Sequence, residues 1–187
     1  MLKKLIHNRL EAFGKNLNYD TSYLGAVLDA DLSAFMRVAK LQGISNYRRD
    51  VPLDVQFAVK LVGAMHEDCG PCSQLMITMA ERAGVAAETL RAIAASDEAA
   101  LSPEVRLGVE FARASLARDP RADELRDQIV AKWGKRGLVS LAFGLVAARV
   151  YPTLKYAMGY GRTCNRLQVD GKPIAVKPDR LAATALA

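Results

Sequence analysis

The run His66-Glu67-Asp68-Cys69-Gly70-Pro71-Cys72 concentrates the reactive side chains of this chain. Two cysteines three positions apart close a small disulfide ring, so the pair can take up or release two electrons. Pro71 places the pair at a helix start, because a proline with fixed φ and no N–H is tolerated in the first turn and not further in. The free N–H groups and dipole of that first turn stabilise a thiolate, which is the nucleophilic form. Glu67, His66 and Asp68 stand just before the thiols, where a carboxylate or an imidazole could shuttle protons. The same acidic residues are also ordinary helix caps, Asp68 above all. Zinc is the competing use of His66, Cys69 and Cys72, which supply three ligands where a structural site wants four. His7 and Cys164 complete the histidines and cysteines of the chain, and neither belongs to a second paired knuckle.

The elements that must position this motif read as helices, since apolar residues recur at helical spacing and strand alternation is nearly absent. Leu2, Ile6, Leu10, Phe13 and Leu17 share one arc, with Lys3, Lys4, His7, Glu11 and Lys15 opposite. A second helix is expected from Thr21 or Ser22 to about Leu41, with Gly43 ending it. Pro52 opens the helix that carries Phe57, Leu61 and Val62 toward the dithiol. The dithiol helix runs to Ala83, and Gly84 is its natural C′ residue. Further helices are expected over 87–95, 102–117, 121–133 and 137–150, Ser102 capping the second of these. Tyr151-Pro152 is expected to interrupt the last before a final helix through Gly161. Asp170-Gly171 signals a turn, and residues 168–187 otherwise read as an extended or disordered tail. The organisation is thus an N-terminal helical extension over 1–50, a dithiol domain over 51–166 and a tail over 167–187. His7 falls on a polar arc and reads as solvated.

Composition narrows the partners. The chain has 187 residues, 51% of them hydrophobic, which suits one all-α domain with a sizeable core. Its net charge of +6 is spread along the chain, and the densest basic groups, at 48–49 and 132–136, are not interleaved with aromatics. No nucleic acid is therefore expected as a partner. No apolar run approaches the ~20 residues of a bilayer span, so a membrane role is not expected, and the first residues lack the apolar run of a secretion signal. An odd number of cysteines in a chain of this size fits a reducing cytoplasm and a dithiol that cycles. The apolar helical faces outnumber what one domain of this size buries, which points to a homo-oligomer. No cofactor is called for.

The order of a helix, a CxxC opening the next helix, a Gly-Val turn, a further helix and a capped Ser-Pro-Glu helix resembles the AhpD-like branch of the carboxymuconolactone decarboxylase family, over about residues 52–161. The resemblance implies an AhpD-like all-helical domain, a trimer or hexamer, and a dithiol that reduces peroxides or protein disulfides with an external dithiol reductant. It also implies Cys72 as attacker and Cys69 as resolver, whereas the thioredoxin-like Cys-Gly-Pro-Cys string implies the reverse. Where the family places a glutamate and a histidine as proton relay, this chain has Phe57 and Met76, which leaves Glu67, His66 and Asp68 as the local groups for that role. Decarboxylation fits poorly, since the family's decarboxylases lack the cysteine pair. Cys164 reads as a packing cysteine. The rival reading is a non-catalytic helical oligomer with a vestigial dithiol.

Overall fold

The computed structural model describes residues 1–161 and 167–174. Cys164 lies outside the described residues, as does the tail beyond 174. The chain is all-α: eight α-helices, one short 3-10 turn and a two-stranded ribbon make up the described residues. The helices are α1 (Leu2–Leu17), α2 (Ser22–Ala30), α3 (Leu32–Asn46), α4 (Leu53–His66), α5 (Gly70–Arg82), α6 (Ala87–Ala94), α7 (Pro103–Ala117) and α8 (Arg121–Ala157).

At the centre lies α4, buried on every side from Val55 to Ala64, with α7 and α8 packed along it. Two glycines set these close approaches. A side chain at Gly108 of α7 would stand 2.8 Å from Val55 Cγ1, and one at Gly63 of α4 would stand 3.1 Å from Ala148 and Leu145 of α8. Leu61, Ile77, Leu90, Val105, Ile129 and Leu141 fill the core between the helices.

Several boundaries differ from the sequence reading. The single helix expected from Ser22 to Leu41 is two, because Asp31 is extended and its carboxylate accepts the Ser33 N–H at 2.7 Å, capping α3. That hydrogen bond holds the Asp31 carboxyl below its ordinary range. Gly43 does not end α3, which runs on to Asn46. The expected gap between 133 and 137 narrows to one residue: Gly134, at φ 68° and ψ 177°, kinks α8 in a conformation open essentially to glycine alone. Pro152 does not interrupt α8. It is buried within the helix, which continues to Ala157.

The start of the tail is ordered. Strands β1 (Leu167–Val169) and β2 (Lys172–Ile174) pair antiparallel. Asp170 (φ 52°) and Gly171 (φ 65°) make the two-residue turn between them, with the positive φ angles that the Asp-Gly signal favours. Leu167 and Val169 are buried against the core, and the Gln74 side chain bonds both the N–H and the C=O of Gln168, at 2.7 and 3.0 Å. A side-chain amide of α5 thus satisfies the free edge of the ribbon.

The second half of α8 holds an 18-residue stretch of mean hydropathy 1.5, long and apolar enough to cross a membrane by length and composition, although the sequence reading found no such run; 44% of the stretch is buried inside the molecule. Val139, Phe143 and Val146 form an exposed stripe at helical spacing on its outer side.

Candidate functional site

The turn between α4 and α5 presents the cysteines. Glu67 closes α4, Asp68 takes a left-handed φ of 49°, and Cys69 becomes the N-cap residue of α5. Asp68 is therefore not the cap, and no side chain caps α5. Pro71 falls in the first turn, as the sequence implies. Cys69 and Cys72 are joined as a disulfide with their Cα atoms 5.2 Å apart. The Cys69 carbonyl accepts the Ser73 N–H at 2.8 Å, which fixes the first turn beneath the bridge.

Both sulfur-bearing residues are buried, at 3% and 5% exposure, and the N-terminal extension covers them. Tyr19 and Tyr23 pack on the pair, with Leu17, Leu24, Leu75, Tyr151 and Leu154 around them. The Tyr19 hydroxyl lies 3.7 Å from Cys72 Sγ and shares a hydrogen bond of 3.3 Å with the Tyr23 hydroxyl. The two rings meet edge to face, with centroids 6.4 Å apart. Lys155 of α8, only 3% exposed, holds its ammonium 5.0 Å from the Tyr19 ring centre and 5.6 Å from that of Tyr23. Its Nζ lies 3.9 Å from an Asp20 carboxylate oxygen. Burial pushes the Tyr19, Tyr23 and Tyr151 hydroxyls above the ordinary phenol range, so all three remain neutral donors near neutral pH.

Local chemistry sets this tyrosine segment in place. α1 ends where Asn18 turns left-handed at φ 49°, and the Tyr19 N–H bonds back to the Gly14 carbonyl at 2.9 Å. Gly14 sits so tightly there that a Cβ would meet the Tyr19 carbonyl oxygen at 2.6 Å. Thr21 Oγ1 donates to the Leu10 carbonyl, the Asp20 carboxylate accepts the Ser22 N–H, and Arg82 at the end of α5 donates to the Asn16 carbonyl at 2.6 Å. The turn is thereby tied both to α1 and to the dithiol helix. Between α1 and α2 an open groove of about 740 Å³, lined in part by His7, Glu11, Lys15, Tyr19 and Asp20, reaches Pro71 beside the cysteines. His7, expected to be solvated, is half-exposed at the groove and meets Asp29 at 2.8 Å.

The other groups read from the sequence do not bond the sulfurs. Glu67 turns toward α8, where its carboxylate accepts from Arg149 Nε and, at 3.1 Å, from Thr153 Oγ1. His66 is the last residue of α4 and partly buried, and Asp68 is exposed. Among the described residues, no hydrogen bond joins His66, Glu67 or Asp68 to either sulfur. Phe57 is buried in the core, and Met76 packs against it. Among the described residues no group of three His, Cys, Asp or Glu side chains is placed to hold a metal ion.

Sequence reasoning missed Tyr19, Tyr23 and Lys155. The signal was present in two tyrosines four apart across the Asn18-to-Tyr23 turn, and in a lysine set among Tyr151, Tyr156 and Tyr160. What brings the two segments together is the folding of the extension onto α5 and α8, about 130 residues apart along the chain. Comparison with protein-family models, with curated proteins and with solved structures returns no match.

Proposed function

We propose that this protein is a CxxC thiol–disulfide oxidoreductase of the AhpD-like type, using Cys69 and Cys72 to reduce a peroxide or a disulfide. The observation that carries the reading is the Cys69–Cys72 bridge across the first turn of α5, in a chamber walled by hydroxyl groups. With a peroxide, one thiolate attacks an oxygen; an S–O bond forms, the O–O bond breaks, and the leaving alkoxide takes a proton as the cysteine becomes a sulfenic acid. The partner cysteine then attacks that sulfur, expels water and closes the disulfide. With a disulfide substrate, the thiolate displaces one sulfur to give a mixed disulfide, which the partner resolves. In either case two electrons leave the cysteine pair, and an external dithiol returns them.

The test is mass spectrometry of the Cys69–Cys72 peptide through a cycle of mild oxidation and dithiol reduction. Loss and regain of one hydrogen pair within that peptide supports the reading. A bridge to Cys164, or between chains, as the main product overturns it. A cytoplasmic setting follows from the same chemistry, since a cycling dithiol needs a reducing supply.

We further infer a homo-oligomer, most simply a trimer or hexamer, with a second copy covering the exposed Val139, Phe143 and Val146 stripe of α8. Light scattering at micromolar concentration should give a multiple of the 20.3 kDa chain. A monomer mass would sink this part without touching the dithiol.

The second reading, a helical oligomer whose dithiol is idle, draws on the burial of both cysteines and on Phe57 and Met76 at the positions of the family's relay. Free-thiol titration separates the two: reversible loss of two thiols per chain on peroxide treatment favours the oxidoreductase, and unreactive thiols favour the rival.

A further inference from the structure

We propose that Tyr19 is a catalytic residue of the dithiol, the hydroxyl donor that makes Cys72 rather than Cys69 the thiolate, and that Lys155 is the residue that positions it. The inference rests on the dithiol reading above and settles which sulfur attacks. It also gives the N-terminal extension a chemical task.

Both cysteines are buried. A thiolate formed where water is scarce needs protein donors, because an uncompensated buried charge is costly. Cys69 is the N-cap residue of α5 and Cys72 lies within its first turn, so the helix end by itself does not make Cys72 the thiolate. The Tyr19 hydroxyl does choose: it lies 3.7 Å from Cys72 Sγ, within hydrogen-bond reach for sulfur, its one proton is free for that sulfur when Tyr23 donates to its oxygen, and no hydroxyl among the described residues stands in the same relation to Cys69. Opening the disulfide places negative charge on the sulfur next to that donor.

The charges around the chamber favour this arrangement. From the extension come Tyr19, Tyr23 and Asp20; from α8 come Tyr151 and Lys155; Tyr160 packs beyond the end of α8. On the cysteines' own turn, Glu67 is engaged by Arg149 and Thr153, and His66 and Asp68 make no hydrogen bond to the sulfurs. The buried Lys155 ammonium lies over the faces of both tyrosine rings, which steadies the rings and makes their hydroxyls stronger donors. Asp20 faces Lys155, with a carboxylate oxygen 3.9 Å from the ammonium. Burial keeps the Tyr19 hydroxyl protonated, so it can donate throughout the range in which a thiol ionises.

The experiment reads each thiol separately, following the cysteine Cβ chemical shift with pH in two reduced backgrounds, Cys69→Ser/Cys164→Ser and Cys72→Ser/Cys164→Ser. In the first, Tyr19→Phe should raise the Cys72 midpoint by about one pH unit, a roughly tenfold loss of thiolate near neutral pH. In the second, the same substitution should leave the Cys69 midpoint in place. Lys155→Met should raise the Cys72 midpoint and Lys155→Arg should preserve it. If Lys155→Met does not fold, the Tyr19→Phe comparison still decides. An unmoved Cys72 midpoint, or equal movement of both thiols, overturns the proposal. Neither result depends on turnover, so reversible disulfide formation with an unmoved midpoint leaves the oxidoreductase standing and removes Tyr19 from it. An irreversible or absent disulfide fails the oxidoreductase itself.

Discussion

Two lysines are buried among the described residues, and their surroundings differ. Lys60 lies in the seam between α4 and α8, its stem against Gly144 and its ammonium 5.3 Å from the Phe57 ring centre. Burial, with Arg48 adding like charge, lowers its pKa to about 8. Lys155 lies in the dithiol chamber, over two tyrosine rings and beside Asp20. The seam is a packing region, built from small and branched apolar residues, in which a cation is an expense to the fold. The chamber surrounds its cation with π-faces, hydroxyls and a carboxylate at a disulfide, and there the charge has chemistry to influence. Burial alone therefore does not mark a functional lysine; what faces the ammonium does.

The sharpest way to break this contrast is at the sulfur itself. Cys72→Ser should abolish consumption of peroxide or disulfide with a dithiol reductant, while thermal melting stays cooperative. Wild-type turnover in Cys72→Ser would mean that the chamber is packing too. The next largest effect belongs to the core. Leu61→Ala, at a position 1% exposed on α4, should destabilise the fold by about 2–5 kcal/mol in denaturant titration. Tyr23→Phe in the chamber deletes one oxygen and leaves the ring, so it should cost well under half as much.

Lys60→Met tests the seam more finely. Below pH 8 the lysine is protonated in both folded and unfolded chains, and the burial penalty is present in full. As pH rises from about 8 toward the ordinary lysine value, the unfolded chain binds more protons than the folded one, so wild-type stability gains. Replacement by methionine should therefore stabilise the protein at neutral pH, by on the order of 2 kcal/mol, and the advantage should shrink above pH 8. A variant less stable than wild type at pH 7 would show that the seam values the charge. The smallest effect concerns Glu67, which is held by Arg149 and Thr153. Glu67→Gln should cost about 1 kcal/mol of stability and leave the dithiol's turnover within twofold. A larger drop in rate would return Glu67 to the proton-relay role that its place in the sequence suggests.

The helical class, the dithiol and its place at the start of α5 were all legible in the sequence, because each depends on local rules. Apolar spacing marks a helix face, proline marks a first turn, and two cysteines three apart meet across one turn. Asp-Gly at 170–171 likewise announced its turn. The break at Asp31 was less legible, since a cap inside a continuous apolar pattern competes with the helix only weakly. Pro152 misled in the opposite sense. In isolation it ends a helix, yet burial between packed helices carried α8 through it.

Nearness in sequence suggested Glu67, His66 and Asp68 as the groups beside the thiols. For Glu67 the partners came instead from a neighbouring helix, Arg149 and Thr153, 82 and 86 positions away. A dithiol at a helix start within an all-helical chain was readable from the residues alone, because those features are fixed by interactions within a turn or two. That Tyr19, Tyr23 and Lys155 enclose it emerges from the folded chain. Their convergence depends on how the extension packs across α5 and α8, and such long-range packing leaves no periodic mark on the sequence.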